Sequence, residues 1–185
     1  MRMVSRFLAV VVLLASLAGC VSRVGTAARP PGTVEQPPPS GPIATECGAD
    51  DISVTGALTQ KPTITLPADC AAPTTLLVLD LDVGHGPVAV DGADLEVGYV
   101  LVAWSDGSVL DSSWSGDDSQ PLLVEDLGRA KVINGWNLGL PGIREGGRRL
   151  IVVPPDLGYG EAGNAQVAPM DTLVFVVDAA EVTNR

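Results

Sequence analysis

The chain has 185 residues, of which 46% are hydrophobic and 18% are charged, and these proportions fit one globular domain together with unstructured segments. Its formal net charge of −11 opposes binding to nucleic acid or to anionic lipid, because both are held by lysine and arginine. Composition therefore excludes a second large core, a nucleic-acid-binding role and membrane attachment through surface charge.

Residues 1–19 predict a secretory signal. Arg2 and Arg6 precede an apolar run at residues 7–17. This run is shorter than a typical membrane-spanning helix. The sequence Leu-Ala-Gly-Cys at residues 17–20 resembles the bacterial lipobox, in which the cysteine is diacylated and becomes the new N-terminus after cleavage. We therefore expect a lipoprotein signal peptide followed by a lipidated Cys20. The alternative is an ordinary secretory signal with a chance cysteine.

Residues 20–43 are expected to be the lipidated cysteine and a Pro-rich tether. The segment after Cys20 holds six prolines and no aromatic residue, a composition that favours extended polyproline II at about 3.1 Å per residue. A recognition site for aromatic-grooved modules is the alternative. The acyl chains would supply the only membrane attachment, on the extracytoplasmic face of a bacterial cell membrane.

The cysteine count fits that compartment. The chain has three cysteines, and lipidation of Cys20 leaves Cys47 and Cys70, which we expect to form a disulfide. Metal binding is the alternative, but two cysteines and the single His85 offer too few ligands at suitable spacing. No metal site is predicted.

The body of the chain is a series of short strand-like segments separated by turn residues, which predicts a mostly antiparallel β protein. Residues 44–94 are expected to supply N-terminal strands that lead into a domain at residues 95–185. The sequence Ser-Asp-Gly-Ser at residues 105–108 predicts a hairpin turn, because Asp-Gly provides the positive φ that such turns require. The clearest strand-like segments are Thr63–Leu66, Thr75–Leu81, Leu95–Trp104, Leu122–Val124, Leu150–Val153 and Thr172–Val182.

The stretch from residue 132 to residue 160 reads VINGWNLGLPGIREGGRRLIVVPPDLGYG. Its interior glycines disfavour a long helix, so a short helical turn carrying Trp136 is predicted, followed by a Glu-Gly-Gly turn and a strand. Taken alone, this pattern indicates that Trp136 is a core residue packed on the strand. Its closeness in sequence to Tyr159 leaves a binding pocket open as the other interpretation.

Residues 95–182 resemble the FKBP-type peptidyl-prolyl cis-trans isomerases. The matching segments occur in the family's order and at near-family spacing. They are VINGW at 132–136, LGLPG at 138–142, PPDLGYG at 154–160 and DTLVF at 171–175, together with Tyr99, Asp106-Gly107 and LDSS at 110–113. The resemblance implies an α+β fold in which a twisted antiparallel β-sheet wraps around one short α-helix, in agreement with the predicted strands.

The resemblance also implies a pocket for a proline side chain with Trp136 as its floor. Asp111 matches a buried acid near the family's ligand, and the main-chain amide of Ile133 matches the donor to a bound peptide or macrolide. The expected catalytic residues are Tyr99, Asp111, Trp136, Tyr159 and Phe175, and the expected substrate-binding residues are Leu110, Val132, Ile133 and Val167.

The implied activity is isomerisation of Xaa-Pro bonds in exported proteins, which needs no nucleophile, metal or cofactor. The implied partners are proline-containing exported polypeptides and a macrolide ligand, without nucleic acid. Nothing in the chain suggests a dimerisation helix, so a monomer is expected. Leu110 stands where the family usually has phenylalanine. The alternative is therefore a catalytically weak FKBP-like binding or chaperone module on a surface lipoprotein.

Overall fold

The computed structural model describes residues 45–58, 60–115 and 118–185. The predicted signal peptide, the lipidated Cys20 and the Pro-rich tether lie outside these residues, so they stay predictions. Within the described segments, no helix combines the length and the apolar character needed to cross a membrane.

Short strands and one helix make up the regular structure of the described residues. Two 3₁₀ turns, Ala49–Asp51 and Pro155–Leu157, accompany them. The helix α1 is Asn134–Gly139. The strands are β1 Ser53–Thr55, β2 Thr63–Thr65, β3 Leu77–Asp82, β4 Asp94–Ala103, β5 Val109–Ser112, β6 Trp114–Ser115, β7 Asp118–Ser119, β8 Leu122–Val124, β9 Arg148–Val153 and β10 Leu173–Thr183.

The main sheet has the strand order β3-β9-β10-β4-β5, and β8 pairs with the first part of β4. All of its pairings are antiparallel, and the longest ladder aligns Leu173 with Ala103 at one end and Thr183 with Asp94 at the other. β1 pairs with β2, and β6 pairs with β7, as separate two-stranded units. With a single short α-helix against this sheet, the predicted α+β fold is confirmed.

The helix α1 packs on one face of the sheet because two of its glycines allow a close approach. A Cβ atom at Gly135 would lie 2.4 Å from Val153 Cγ1, and one at Gly139 would lie 3.0 Å from Ile151 Cγ2. Strand alternation points Ile151, Val153 and Phe175 toward this helix, where they join its core. The glycines that disfavour a long helix thus seat the short helix on β9.

The opposite face of the sheet has its own core, covered by the N-terminal segment. Alternate residues of β9 and β10, including Leu150 and Val176, are fully buried on this side. Ile52 packs against them, and residues of β1 and β2 lie beside it. The disulfide between Cys47 and Cys70 joins the two ends of this covering segment, with 5.2 Å between the Cα atoms. The predicted disulfide is confirmed in the structure.

A buried arginine ties the covering segment to the sheet. Arg148, which is 2% exposed, donates two hydrogen bonds to the Asp178 carboxylate, at 2.6 and 2.7 Å. It also donates to the main-chain oxygens of Gly56 at 2.8 Å and Gln60 at 2.9 Å. One guanidinium therefore links β9, β10 and the chain between β1 and β2.

The next residue, Arg149, serves the helix face. Successive residues of a strand point to opposite sides of the sheet, so Arg149 faces α1. Its Nη1 donates to the main-chain oxygens of residues 139–141, where the helix ends, and its Nε donates to Asp80 at 2.6 Å. These bonds satisfy carbonyl groups that a helix C-terminus leaves without partners.

Candidate functional site

Three aromatic rings meet where α1 crosses the sheet. Trp136, at the third position of the helix, is 3% exposed. Its ring centroid lies 5.4 Å from that of Tyr99 and 5.3 Å from that of Phe175, and both contacts are edge-on, at interplanar angles of 85° and 77°. Phe175 on β10 pairs with Leu101, two residues from Tyr99 on β4, so the two strand aromatics are diagonal neighbours on one face.

These rings border a cavity of about 190 Å³. All five residues expected to be catalytic line it, together with Val132 and Ile133 from the segment that leads into α1. The described lining consists of Tyr99, Leu101, Asp111, Leu122, Lys131, Val132, Ile133, Trp136, Tyr159 and Phe175.

Two expected wall residues are not among the lining residues. Leu110 is half-buried and packs against the core on the helix side of the sheet, and Val167, 3% exposed, belongs to that same core. The cavity also includes Leu101, Leu122 and Lys131, which were not among the expected site residues.

Tyr99 and Asp111 are joined across neighbouring strands. The Tyr99 hydroxyl donates to Asp111 Oδ2 at 2.5 Å, and Asp111 Oδ1 accepts a hydrogen bond from the main-chain N–H of Ser112 at 2.8 Å. The expectation of a buried acid is wrong, because the Asp111 side chain is exposed at the cavity edge. Burial, followed by the hydrogen bond and the negative charge of Asp111, raises the pKa of Tyr99 well above its usual value of 10.0.

The N-terminus of α1 brings a main-chain donor to the cavity. Ile133 is the residue before the helix and has an extended backbone, with φ −61° and ψ 151°. Its carbonyl accepts a hydrogen bond from the Trp136 N–H at 3.0 Å. Its own N–H donates to no acceptor in the described part of the chain.

A larger cavity of about 460 Å³ lies elsewhere, between Trp114, Gly98, the Gly146-Gly147 turn and residues 178–180. It has one aromatic side chain and none of the expected site residues, so the aromatic cavity is the stronger candidate. Across residues 45–58, 60–115 and 118–185, no three histidine, cysteine, aspartate or glutamate side chains are grouped as metal ligands.

Comparison with known proteins identifies the family that this chain resembles in sequence and in fold. Residues 86–179 match the family described as FKBP-type peptidyl-prolyl cis-trans isomerase. An FK506-binding protein from Streptomyces anulatus is 40% identical over 125 residues, which cover 66% of this chain and 98% of that protein. The crystal structure of a peptidyl-prolyl cis-trans isomerase from Pseudomonas syringae is 29% identical, with a TM-score of 0.51, covering 59% of this chain and 76% of that one. FkpA from Escherichia coli is 34% identical, with a TM-score of 0.52, covering 60% and 49%.

Proposed function

The chain belongs to the FKBP-type peptidyl-prolyl cis-trans isomerases, and we propose that it accelerates rotation about Xaa-Pro bonds of exported polypeptides in the cavity around Trp136. The observation that carries this proposal is the edge-on contact of Trp136 with Tyr99 and Phe175 beside one cavity. Aromatic side chains offer a broad apolar surface to a proline ring while remaining rigid themselves.

The reaction breaks no covalent bond, so the site acts by stabilising a twisted amide. The planar amide is held by charge-separating resonance, and the barrier to rotation is about 18–20 kcal/mol. A cavity walled by aromatic rings solvates that charge separation poorly, which disfavours the planar form relative to the twisted one. Each gain of about 1.4 kcal/mol in this difference raises the rate tenfold.

Two donors at the cavity edge would orient the substrate. The Ile133 N–H is available to donate a hydrogen bond to a peptide carbonyl. Tyr159, 38% exposed on the cavity lining, offers a hydroxyl to the peptide. The Tyr99–Asp111 hydrogen bond fixes one wall of the cavity, so that binding costs little rearrangement of that wall.

The substrates proposed are chains that fold outside the cytoplasm, and the protein is anchored there through a lipid on Cys20. The lipobox-like sequence at residues 17–20 supports this location. The Cys47–Cys70 disulfide also supports it, because disulfides persist in oxidising compartments. Replacement Cys20→Ser should release the protein from the membrane fraction of the producing cell, whereas Cys70→Ser should leave it attached. Retention of the Cys20→Ser protein in that fraction would contradict the anchor.

The activity is tested by exchange NMR on a short peptide with one Xaa-Pro bond, with and without the full chain. We expect the cis-trans exchange rate to rise in proportion to protein concentration. A spontaneous rate at every concentration would overturn the enzyme proposal. If the peptide still bound with only spontaneous exchange, the alternative of an FKBP-like binding module would take its place.

The macrolide FK506 is a second probe of the same cavity. Relatives of this chain are named for binding it, and we propose that it occupies the space beside Trp136. Its addition should change the tryptophan fluorescence of the chain and inhibit isomerisation at the same concentrations. A fluorescence change that persists unaltered in Trp136→Phe would place the binding elsewhere.

A further inference from the structure

Lys131 brings the only positive charge to the described lining of the aromatic cavity. Its side chain is exposed. Across the described residues it takes part in no salt bridge or side-chain hydrogen bond. The ammonium group is therefore available to a bound peptide without first breaking an internal contact.

The only acid on the described lining is engaged by the protein itself. Both carboxylate oxygens of Asp111 accept hydrogen bonds, one from the Tyr99 hydroxyl and one from the Ser112 N–H. Asp111 lies on β5, whereas Lys131 lies just before α1. The two charges thus belong to different elements of the cavity border, and only Lys131 lacks an internal partner.

A second cavity, of about 280 Å³, shares lining residues with the first. It is lined by residues 123–126 and 129–132, so Lys131 and Val132 border both spaces. An extended peptide advances about 3.3 Å per residue. A chain with its proline beside Trp136 that continued into the second cavity would therefore pass Lys131 close to the proline.

The second cavity carries charges of both signs. Arg129 is a second cation on its lining, and Glu125 and Asp126 are its acids. Among the described residues that line both cavities, Lys131 is the only charged one.

We infer that Lys131 makes this isomerase prefer substrates with an aspartate or glutamate beside the Xaa-Pro bond. The inference rests on the proposed function, since it requires the substrate proline to lie in the aromatic cavity. An exposed ion pair is a modest interaction, so the preference in kcat/KM for a glutamate over a lysine peptide is about two- to five-fold.

The test uses two peptide series with glutamate, glutamine or lysine, placed before the proline in one series and after it in the other. Exchange rates are measured at low and high salt, and affinities are taken from fluorescence titration. We expect the glutamate peptide to be favoured in one series, and the ratio to fall at high salt because exposed charges are then screened. A glutamate-to-lysine ratio of one in kcat/KM at low salt, in both series, would overturn the inference.

Substitutions at Lys131 assign the preference to its charge. Lys131→Gln should bring the glutamate-to-lysine ratio close to one, and Lys131→Glu should invert it. Lys61, the only other lysine of the chain, is exposed on the N-terminal segment, and Lys61→Gln is the matched control that should keep the ratio. An unchanged ratio in Lys131→Glu would contradict the assignment.

The outcomes separate this inference from the proposed function. Exchange of the glutamine peptides at only the spontaneous rate would refute the isomerase proposal, and the affinity ratios would still test the charge preference. Accelerated exchange with no preference between glutamate and lysine would leave the isomerase standing and refute the role of Lys131.

Discussion

The hydroxyl of Tyr99 occupies the most altered environment of the described site. Burial is the main cause of its raised pKa, and the hydrogen bond to Asp111 and the charge of that carboxylate add to it. The phenol therefore stays protonated, and keeps donating, at and above the ordinary tyrosine pKa. Because the folded-state pKa is raised, the associated stability is fully present below pH 10.0 and is lost as pH rises toward the folded-state value.

A tyrosine titration tests this environment directly. The chain has two tyrosines, so Tyr159→Phe leaves Tyr99 as the only source of phenolate absorbance. We expect the absorbance to appear well above pH 10.0 in the folded protein. Adding Asp111→Asn should lower the midpoint without returning it to the ordinary value, because burial remains. A midpoint at pH 10.0 that does not respond to Asp111→Asn would contradict the described geometry.

Most of the cavity residues could be predicted from the sequence, because they lie in or beside the family motifs. Trp136, Ile133 and Tyr159 fall in such segments, and the structure places them around one cavity. Leu101 on β4, Leu122 on β8 and Lys131 before α1 were missed, since none of them falls in a family motif. The exposure of Asp111 was also missed, because the family resemblance implied a buried acid at this position.

At the scale of elements, the contact of α1 with β9 depends on Gly135. A Cβ atom there would lie 2.4 Å from Val153 Cγ1, so Gly135→Ala should push the helix off the sheet. Overpacking of this kind costs about 1–3 kcal/mol. We expect urea unfolding to show that loss and the isomerisation rate to fall with it, since Trp136 is carried by the same helix.

A control variant and a rescue variant test whether the loss in Gly135→Ala comes from the clash with Val153. Gly48→Ala adds a methyl group that meets only Asp51 Oδ2 at 3.6 Å, so its cost should be small. Val153→Ala removes the clashing atoms, and the double variant with Gly135→Ala should be more stable than the sum of the two single losses implies. Strict additivity of the two changes would show that the two side chains do not collide.

The buried arginine between the sheet and the N-terminal segment makes a second prediction for this scale. Arg148→Met removes four hydrogen bonds and leaves the Asp178 carboxylate without its counter-ion. Breaking one side of a buried ion pair costs about 3–5 kcal/mol. The loss should appear as a lower midpoint of urea unfolding, and adding Asp178→Asn should recover part of it.

The exposed ion pair between Arg185 and Asp94 is the control for the buried pair between Arg148 and Asp178. Its arginine side chain is 58% exposed, against 2% for Arg148. Solvent screens such a pair, so Arg185→Gln should leave the midpoint nearly unchanged. Equal losses in the two arginine variants would contradict the role assigned to burial.

The strands of the main sheet were predictable because their apolar residues recur between clear turns. β8 was predicted with its observed bounds, and the prediction for β10 is displaced by one residue at each end. β1, β6 and β7 were not predicted, and β6 and β7 have two residues each, which is too few for an alternating pattern. Their formation depends on partners that the local sequence does not reveal.

At the scale of the whole described unit, the two faces of the main sheet differ in what they support. The helix face holds the aromatic cavity, and the opposite face holds the core that the disulfide-linked segment covers. The disulfide spans 23 residues, and a cross-link of that length stabilises a fold by about 3 kcal/mol. Reduction should therefore lower the free energy of unfolding while leaving kcat/KM little changed under conditions where the protein stays folded.

Urea unfolding with and without reductant measures this effect. The double variant Cys47→Ser with Cys70→Ser should already show the lower stability and should not respond to reductant. A response of the same size in that variant would assign the effect of the reductant to something other than this disulfide. Loss of activity on reduction without unfolding would contradict the separation of the two faces.

The central claim is that the cavity around Trp136 catalyses prolyl isomerisation. The most direct measurement compares kcat/KM for one Xaa-Pro peptide in the unaltered chain, in Trp136→Ala and in Trp104→Ala. Trp104 packs with the core on the other face of the sheet, so it controls for the loss of an indole ring. Circular dichroism shows whether each variant is folded, and the milder Trp136→Leu or Trp104→Leu replaces the corresponding alanine variant if that one is not.

We predict that the unaltered chain accelerates exchange, and that Trp136→Ala loses about tenfold or more of kcat/KM, corresponding to about 1.4 kcal/mol of transition-state stabilisation. The folded Trp104→Ala protein should keep most of its activity. Equal kcat/KM values for a folded Trp136 variant and the unaltered chain would contradict the assignment of catalysis to this cavity.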